Sequence, residues 1–378
     1  MNFVLFYHSF SSCWNHGNAH FLRGIARKLV ELGHHVTVYE QENGWSRTNA
    51  LRDGGARALD EASSLVPGIV RSYRVETLDL DRVLDDADVV IVHEWNDPIL
   101  IAALSRRRLH GGRFVLLFHD THHRAVTTPH QIERFELGGF DAVLAFGEVL
   151  REVYRRRGWA QNVFTWHEAA DTDLFQPCSG PKEVDVIWIG NWGDDERSSE
   201  LNTFLLEPVS RLRIKACVHG VRYPKHARQA LAQNGITYRG WLPNHRAPAA
   251  FGRARLTVHI PRRPYVNALP GIPTIRMFEA LACGTPLISS PWQDIEGLFP
   301  EDSYLRVDTG DEMVLAIERI LRSPEFADHL SRKGLAAIRA RHTCGHRVRE
   351  LLEIVQAIKE PKQKTRYRTR QQEWMSAP

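Results

Sequence analysis

The chain has 378 residues, of which 43% are hydrophobic and 25% charged, with a formal net charge of +4. That length exceeds one ordinary core and fits two domains, and no apolar run approaches the roughly 20 residues of a membrane span. The modest positive charge suits phosphate-bearing ligands, and without an aromatic-plus-basic signature it predicts no nucleic-acid partner.

Residues 2–7 read as an apolar strand directly after Met1, with no basic leader before it, which argues against a signal peptide. A polar loop follows to Gly17. Asn18 can cap a helix to about residue 32, with Phe21, Leu22, Ile25, Ala26 and Leu29 as its inner stripe. Residues 35–40 form the next strand, closing a βαβ unit. The unit lacks the Gly-x-Gly-x-x-Gly fingerprint, so dinucleotide binding is not indicated. Residues 44–75, rich in Arg, Gly and Ser, predict an irregular connection with some helix. The alternation then resumes: strand 88–92, helix 98–107, strand 113–118, strand 142–146, helix 148–157 and strand 163–166. Two polar strings, His93-Glu94-Trp95-Asn96-Asp97 and His119-Asp120-Thr121-His122-His123, stand at strand carboxyl ends, where open α/β sheets bind ligands.

A Pro/Gly/Ser-rich joint at 177–181 divides the chain. Beyond it the spacing predicts strand 184–189, helix 198–206, strand 213–219, helix 226–233, strand 236–242 and strand 255–260. Helices 311–321 and 326–341 follow, then an interruption at Gly345 and a last amphipathic helix, 346–358. Residues 359–378 carry Lys359, Lys362, Lys364, Arg366, Arg368 and Arg370 with few apolar residues. They read as a solvated, disordered tail, with weak docking to an anionic membrane surface as the functional alternative.

The stretch 270–289 organises the second half. Gly271 and Pro273 break the chain, Thr274 is placed to cap a helix over 275–283, and Gly284 with Pro286 ends it before a buried strand begins at Leu287. A helix start offers free N–H groups and a positive dipole end to a phosphate. One turn further in, Glu279 is the only carboxylate on an apolar segment, suited to accept hydrogen bonds from a sugar diol.

Glu279-Ala280-Leu281-Ala282-Cys283-Gly284-Thr285-Pro286-Leu287-Ile288 resembles the nucleotide-sugar motif of GT-B glycosyltransferases, Glu-Ala-x-Ala-x-Gly-x-Pro-[Val/Leu]-Ile. The resemblance extends over about residues 1–355. It looks closest to the spore-maturation-protein-like (CgeB-like) members, on Trp14-Asn15-His16-Gly17-Asn18, His93-Glu94-Trp95 and the stretch from Asn267 to Glu279. Asp171-Thr172-Asp173-Leu174-Phe175-Gln176-Pro177 is similar to the segment where such chains leave their first domain. The large retaining group has a second Glu eight residues before the first motif position; here that place is Gly271, so stereochemistry does not carry over.

The resemblance implies an α/β chain of two Rossmann-like domains facing across a cleft. The acceptor domain is expected at 1–178 and the nucleotide-sugar donor domain at 179–345, with helix 346–358 crossing back to the first. It implies that Glu279 grips the donor ribose while Gly271, Thr274, Ile275 and Arg276 hold the diphosphate. Asn267, Arg197, Gly190 and Trp241 complete the expected donor contacts; Arg262 and Arg263 are further basic candidates, since arginine is well shaped for phosphate. His16 is the candidate base that deprotonates the acceptor if the enzyme inverts, and His119 and Asp120 are candidate sugar or acceptor contacts.

Such enzymes manage without a cofactor and usually without a metal, and His119, His122 and His123 lack a defined ligand set. The five cysteines, Cys13, Cys178, Cys217, Cys283 and Cys344, have neither metal nor redox spacing, which points to a reduced, cytoplasmic compartment. The reaction expected is glycosyl transfer from a nucleotide-diphosphate sugar to a saccharide, lipid-linked or protein acceptor. The alternatives are a nucleotide-sugar epimerase of the same fold and a non-catalytic nucleotide-sugar-binding or assembly protein.

Overall fold

The structure is a computed structural model that describes residues 1–193 and 195–360. Two compact units account for it. The first holds Met1–Ser12, Phe21–Glu168 and the chain from Cys344; the second holds Cys13–His20 and Ala169–Thr343.

In the first unit seven strands form one parallel sheet: β1 (Asn2–Phe6), β2 (His35–Gln41), β3 (Val70–Tyr73), β4 (Val89–His93), β5 (Val115–Asp120), β6 (Ala142–Ala145) and β7 (Val163–Thr165), in the order β3-β2-β1-β4-β5-β6-β7. Every residue of β4 and β5 is buried, the signature of strands covered on both faces. Helix Ala19–Glu31 lays Phe21, Leu22, Ile25, Ala26 and Leu29 on the sheet with no exposed surface. The order reverses between β1 and β4, so the loops after these strands border the crevice where such sheets bind ligands.

The second unit repeats the plan with β8 (Val184–Ile189), β9 (Ala216–His219), β10 (Ile236–Tyr238), β11 (Ala254–His259), β12 (Leu287–Ser289) and β13 (Leu305–Arg306), ordered β10-β9-β8-β11-β12-β13 and again parallel. Its core gathers Val186, Trp188, Phe204, Leu256, Met313 and Ile317. Here the reversal falls between β8 and β11.

Several expectations are corrected. Residues 44–75 are not irregular: they hold helix Trp45–Ser63, kinked at Gly55, and edge strand β3. Strand β10 stops at Tyr238, which leaves Trp241 in a loop. Helix 198–206 is instead a turn of α-helix, Ser198–Leu201, a π-helical turn, Asn202–Leu206, and helix Glu207–Leu212. Gly345 interrupts nothing; it lies in the first turn of helix Cys344–Lys359, which belongs to the first unit and accepts a 2.9 Å hydrogen bond from Trp166 Nε1 at Arg347 O. Phe175 is fully buried against the His20 ring, 4.4 Å between centroids, inside the second unit, which takes up the chain again at Ala169. The basic tail beyond Glu360 lies outside the described residues.

Candidate functional site

The second unit carries the most developed polar site. Helix Ile275–Ala282 begins at Thr274, whose backbone is extended as a cap requires, but its hydroxyl makes no capping bond. The N–H groups of the first turn are therefore not closed off by a side chain. Gly271, in the loop before, has φ +89°, and a Cβ there would meet Ile295 Cγ1 at 2.7 Å; both the conformation and the space require glycine. Thr274 and Arg276 are half-buried, and Ile275 is buried.

Glu279 is completely buried. Arg276, one turn earlier, bonds its Oε2. His20 Nδ1 lies 3.0 Å from Oε1 and 3.1 Å from Gly17 O. A carbonyl only accepts, so Nδ1 carries the proton and donates it to Gly17 O, with Oε1 close beside it. Burial pushes the Glu279 carboxyl up, but the Arg276 guanidinium and the His20 ring outweigh it, and the net shift is below the ordinary value. The carboxylate is ionised, and Oε1 has no partner in full hydrogen-bond geometry. It keeps acceptor capacity.

The segment Cys13–His20 is stitched onto this unit at several points. Asn244 N donates to Cys13 Sγ at 3.2 Å, and Asn244 Nδ2 to Gly17 O at 3.3 Å. A Cβ on Gly17 would meet Ile275 Cγ2 at 2.6 Å, so the segment lies directly against the start of helix Ile275–Ala282. Asn191 Nδ2 donates to Asn15 Oδ1 at 2.8 Å. His16, half-buried, sits between these anchors and donates its backbone N–H to Cys13 O. The sequence places it on the first domain; the segment that bears it packs with the second unit.

Gly190 and Asn191 follow β8, and Arg262 follows β11, which places them at the strand-order reversal. Asn191 Oδ1 accepts from Arg197 Nη2 at 2.7 Å and from Arg262 Nη2 at 3.1 Å. Arg197 is spent on structure: it also donates to Ile260 O at 3.1 Å and Asn191 O at 3.0 Å. Burial, reinforced by Arg262, pushes its pKa down to about 9. Arg262 pairs with Glu196 at 2.5 Å and Arg263 with Glu200 at 3.0 Å. Gly190 O accepts from Tyr223 Oη at 3.0 Å. Trp241 is half-buried, and its Nε1 is buried without a partner among the described residues. Asn267 is exposed at the end of the short helix Arg263–Asn267, outside this network.

In the first unit His119 and Asp120 are the last residues of β5, not loop residues, and both are fully buried. The His119 ring packs edge-on to Trp166 at 4.8 Å and to His93 at 5.2 Å. Asp120 accepts from Tyr154 Oη at 2.7 Å and from His122 N at 3.0 Å; burial raises its pKa. These contacts fix the end of the strand. Sequence reasoning missed the neighbouring cluster. Buried Glu94 pairs with Arg124, whose guanidinium lies 3.8 Å over the Trp95 ring. Burial pushes the Glu94 carboxyl up to about 8 against the pull of Arg124. The string His93-Glu94-Trp95 marked one half of that cluster; nothing local in the sequence tied it to Arg124.

The comparisons with known proteins agree with this plan. Residues 17–174 match the family model described as Glycosyltransferase Family 4, and residues 197–353 match the one described as Glycosyl transferase-like. No curated protein matches. Among solved structures, sucrose-phosphate synthase from Thermosynechococcus elongatus superposes with a TM-score of 0.66 at 14% identity, over 95% of this chain and 99% of that one. A Staphylococcus aureus TarM variant in complex with Fondaparinux, alpha-GlcNAc-glycerol and UDP gives 0.68 at 8% identity, over 94% and 99%. A glycosyltransferase from Rickettsia africae gives 0.63 at 12% identity, over 95% and 98%. These likenesses show the GT-B fold, two Rossmann-like parallel-sheet domains spanning the chain, and with the family matches they support glycosyl transfer. No helix among the described residues is long and apolar enough to cross a membrane.

Proposed function

We propose that the chain transfers a sugar from a nucleotide-diphosphate sugar to an acceptor hydroxyl, with the donor held by the second unit and the acceptor presented by the first. The observation that carries this reading is Glu279: an ionised carboxylate, wholly buried, the one acidic residue of helix Ile275–Ala282, with acceptor capacity on Oε1. Arg276 and His20 keep that buried charge tolerable, and a ribose diol supplies two further donors that suit a carboxylate. UDP is bound in the TarM complex, and a uridine nucleotide is the first donor to try.

In this reading the N–H groups at 274–276 and the Arg276 guanidinium take the diphosphate. They stabilise the negative charge that develops as the glycosidic bond to the leaving group breaks. His16 takes the acceptor proton. In this reading His119 and Asp120 support the acceptor contacts from within rather than touching the acceptor, since neither has exposed surface. Charge stabilisation by N–H groups and arginine supports a transfer that runs without a metal ion. The partners in this reading are a saccharide, lipid-linked or protein acceptor and, through weak docking of the basic residues at 359–378, an anionic membrane surface.

The test is nucleotide binding by calorimetry. Glu279→Gln keeps the shape and removes the charge, and should weaken binding by roughly 1.5–3 kcal/mol, the range of a hydrogen bond to a charged group. Unchanged affinity removes the ribose assignment.

A further inference from the structure

Glu279 is not open to a ligand as it stands. Arg276 covers it: the carboxylate has no exposed surface, while the Arg276 side chain is one quarter exposed and bonds Oε2. On the other side His20 and Gly17 close the space, with Gly17 in contact with Ile275. A ribose hydroxyl can reach Oε2 only if the guanidinium leaves it. Arg276 is at the second position of the helix, beside the uncapped N–H groups of the first turn, so the nearest new partner for the released cation is an anion bound at that helix start.

Resting on the donor reading above, we infer that Arg276 exchanges partners, from Glu279 in the empty site to the diphosphate in the loaded one, and that this exchange makes the site select a nucleoside diphosphate over the bare nucleoside. A nucleoside brings the diol but no anion: it must break the Arg276–Glu279 pair and leave a guanidinium without a carboxylate, at a cost that only the ribose bonds offset. A nucleoside diphosphate breaks the same pair and supplies phosphate oxygens in its place, which suit a guanidinium at least as well as a carboxylate does. A ligand shifts an equilibrium between two states only by its differential affinity for them. Both ligands favour the opened pair through the ribose, but only the diphosphate also rewards the released guanidinium, so its differential is the larger. Arg276 therefore acts as an intramolecular competitor for Glu279 that only an anionic ligand draws away.

The test uses the full chain and calorimetry with uridine, adenosine and guanosine and their 5′-diphosphates, carrying forward the base whose diphosphate binds best. In the wild type the diphosphate should bind far more tightly than its nucleoside. Arg276→Ala should bind the nucleoside more tightly than the wild type does and the diphosphate more weakly. The preference for the diphosphate should fall by roughly ten- to hundredfold, the span of one charge-assisted hydrogen bond. Arg276→Lys, which keeps the cation and the fold if the alanine variant unfolds, should retain most of the preference. Parallel weakening of nucleoside and diphosphate in Arg276→Ala, or an unchanged nucleoside affinity, overturns the exchange while leaving the donor site in place. Loss of the preference in Arg276→Lys as large as in Arg276→Ala also overturns it. The donor reading itself fails separately, if none of the diphosphates binds the wild type or if Glu279→Gln leaves the best of them unaffected.

Discussion

Asn191 donates its side-chain N–H to Asn15 Oδ1 across 2.8 Å, and on its other face its carbonyl oxygen accepts from two arginines, Arg197 and Arg262. One amide thus joins the loop after β8, the loop after β11 and the segment that bears His16. Asn15 has φ +54°, a left-handed conformation that Asn tolerates better than most residues but that still carries strain. The bond to Asn191 holds it there, immediately before the proposed base.

Asn191→Ala should release this joint. It leaves two guanidinium groups short of an acceptor and Asn15 without its donor, and should cost about 2–3 kcal/mol in urea unfolding. Amide hydrogen exchange in 13–20 should quicken more than in the sheet. Unchanged exchange in that segment would show that the contact does not hold the loop.

Glu40 predicts a larger effect in the first unit. Its buried carboxylate accepts from the backbone N–H groups of Phe10 at 3.0 Å, Ser11 at 2.9 Å and Ser12 at 3.1 Å, and from Ser12 Oγ at 2.7 Å. Glu40→Ala strands those donors and should destabilise by about 3–5 kcal/mol, as for other buried charged groups that lose their partner. Glu40→Gln, which keeps one acceptor oxygen, should cost less. Equal losses in the two variants, measured by urea unfolding, would mean that packing rather than hydrogen bonding sets the cost.

His259 makes stability depend on pH. It is buried at the end of β11, 2.9 Å from Ser289 Oγ, and burial, with Arg197 nearby, pushes its pKa down to about 3. The unfolded chain takes up a proton on this ring below about pH 6.5, while the folded chain does not until about pH 3. Between these values the unfolded state binds more protons, so stability rises with pH and is lost on acidification, by about 1.4 kcal/mol per unit well inside the window. His259→Asn, which keeps a donor for Ser289, should narrow the difference in unfolding free energy between pH 7 and pH 5 by about 2 kcal/mol. Parallel pH profiles for the two proteins would contradict this.

Transfer, or nucleotide binding in its absence, should persist in excess chelator. Complete loss that magnesium or manganese restores would mean that a cation, rather than the helix start and Arg276, carries the diphosphate charge.

The parts of the chain that could be read in advance are those with a local signal. Helix Ile275–Ala282 has breakers before it and Gly284 and Pro286 after it, and its boundaries follow almost residue for residue. Strands β4 and β5 open with unbroken apolar runs, 89–92 and 115–118. By contrast β3 is Val70–Tyr73 with Arg71 and Ser72 exposed, so its edge position erases the pattern, and Gly54-Gly55 interrupts the period of the helix before it. The site divides in the same way. Glu279 stands out as the one carboxylate of helix Ile275–Ala282. Asn15 and Asn191 are 176 residues apart, and neither they nor the pairs His20–Glu279 and Glu94–Arg124 leave a periodic trace. Only folding brings them together. The placement of His119 and Asp120 within a strand, rather than beyond it, follows from β5 continuing its apolar burial through two polar residues that find partners there.

The Glu40 contacts also distinguish the two halves of a repeated design. Consecutive backbone N–H groups turned toward one point form a concavity that attracts anions, and in the first unit that concavity receives a carboxylate from the next strand of its own sheet. The first unit has internalised its counter-ion: the charge arrives with the polypeptide, at fixed stoichiometry and without a dissociation constant. A phosphate group approaching the turn at 10–12 would have to evict a covalently tethered rival. In the first unit the chain itself thus supplies the negative charge at this turn, and on the donor reading proposed above it is a diffusing molecule that would supply it in the second.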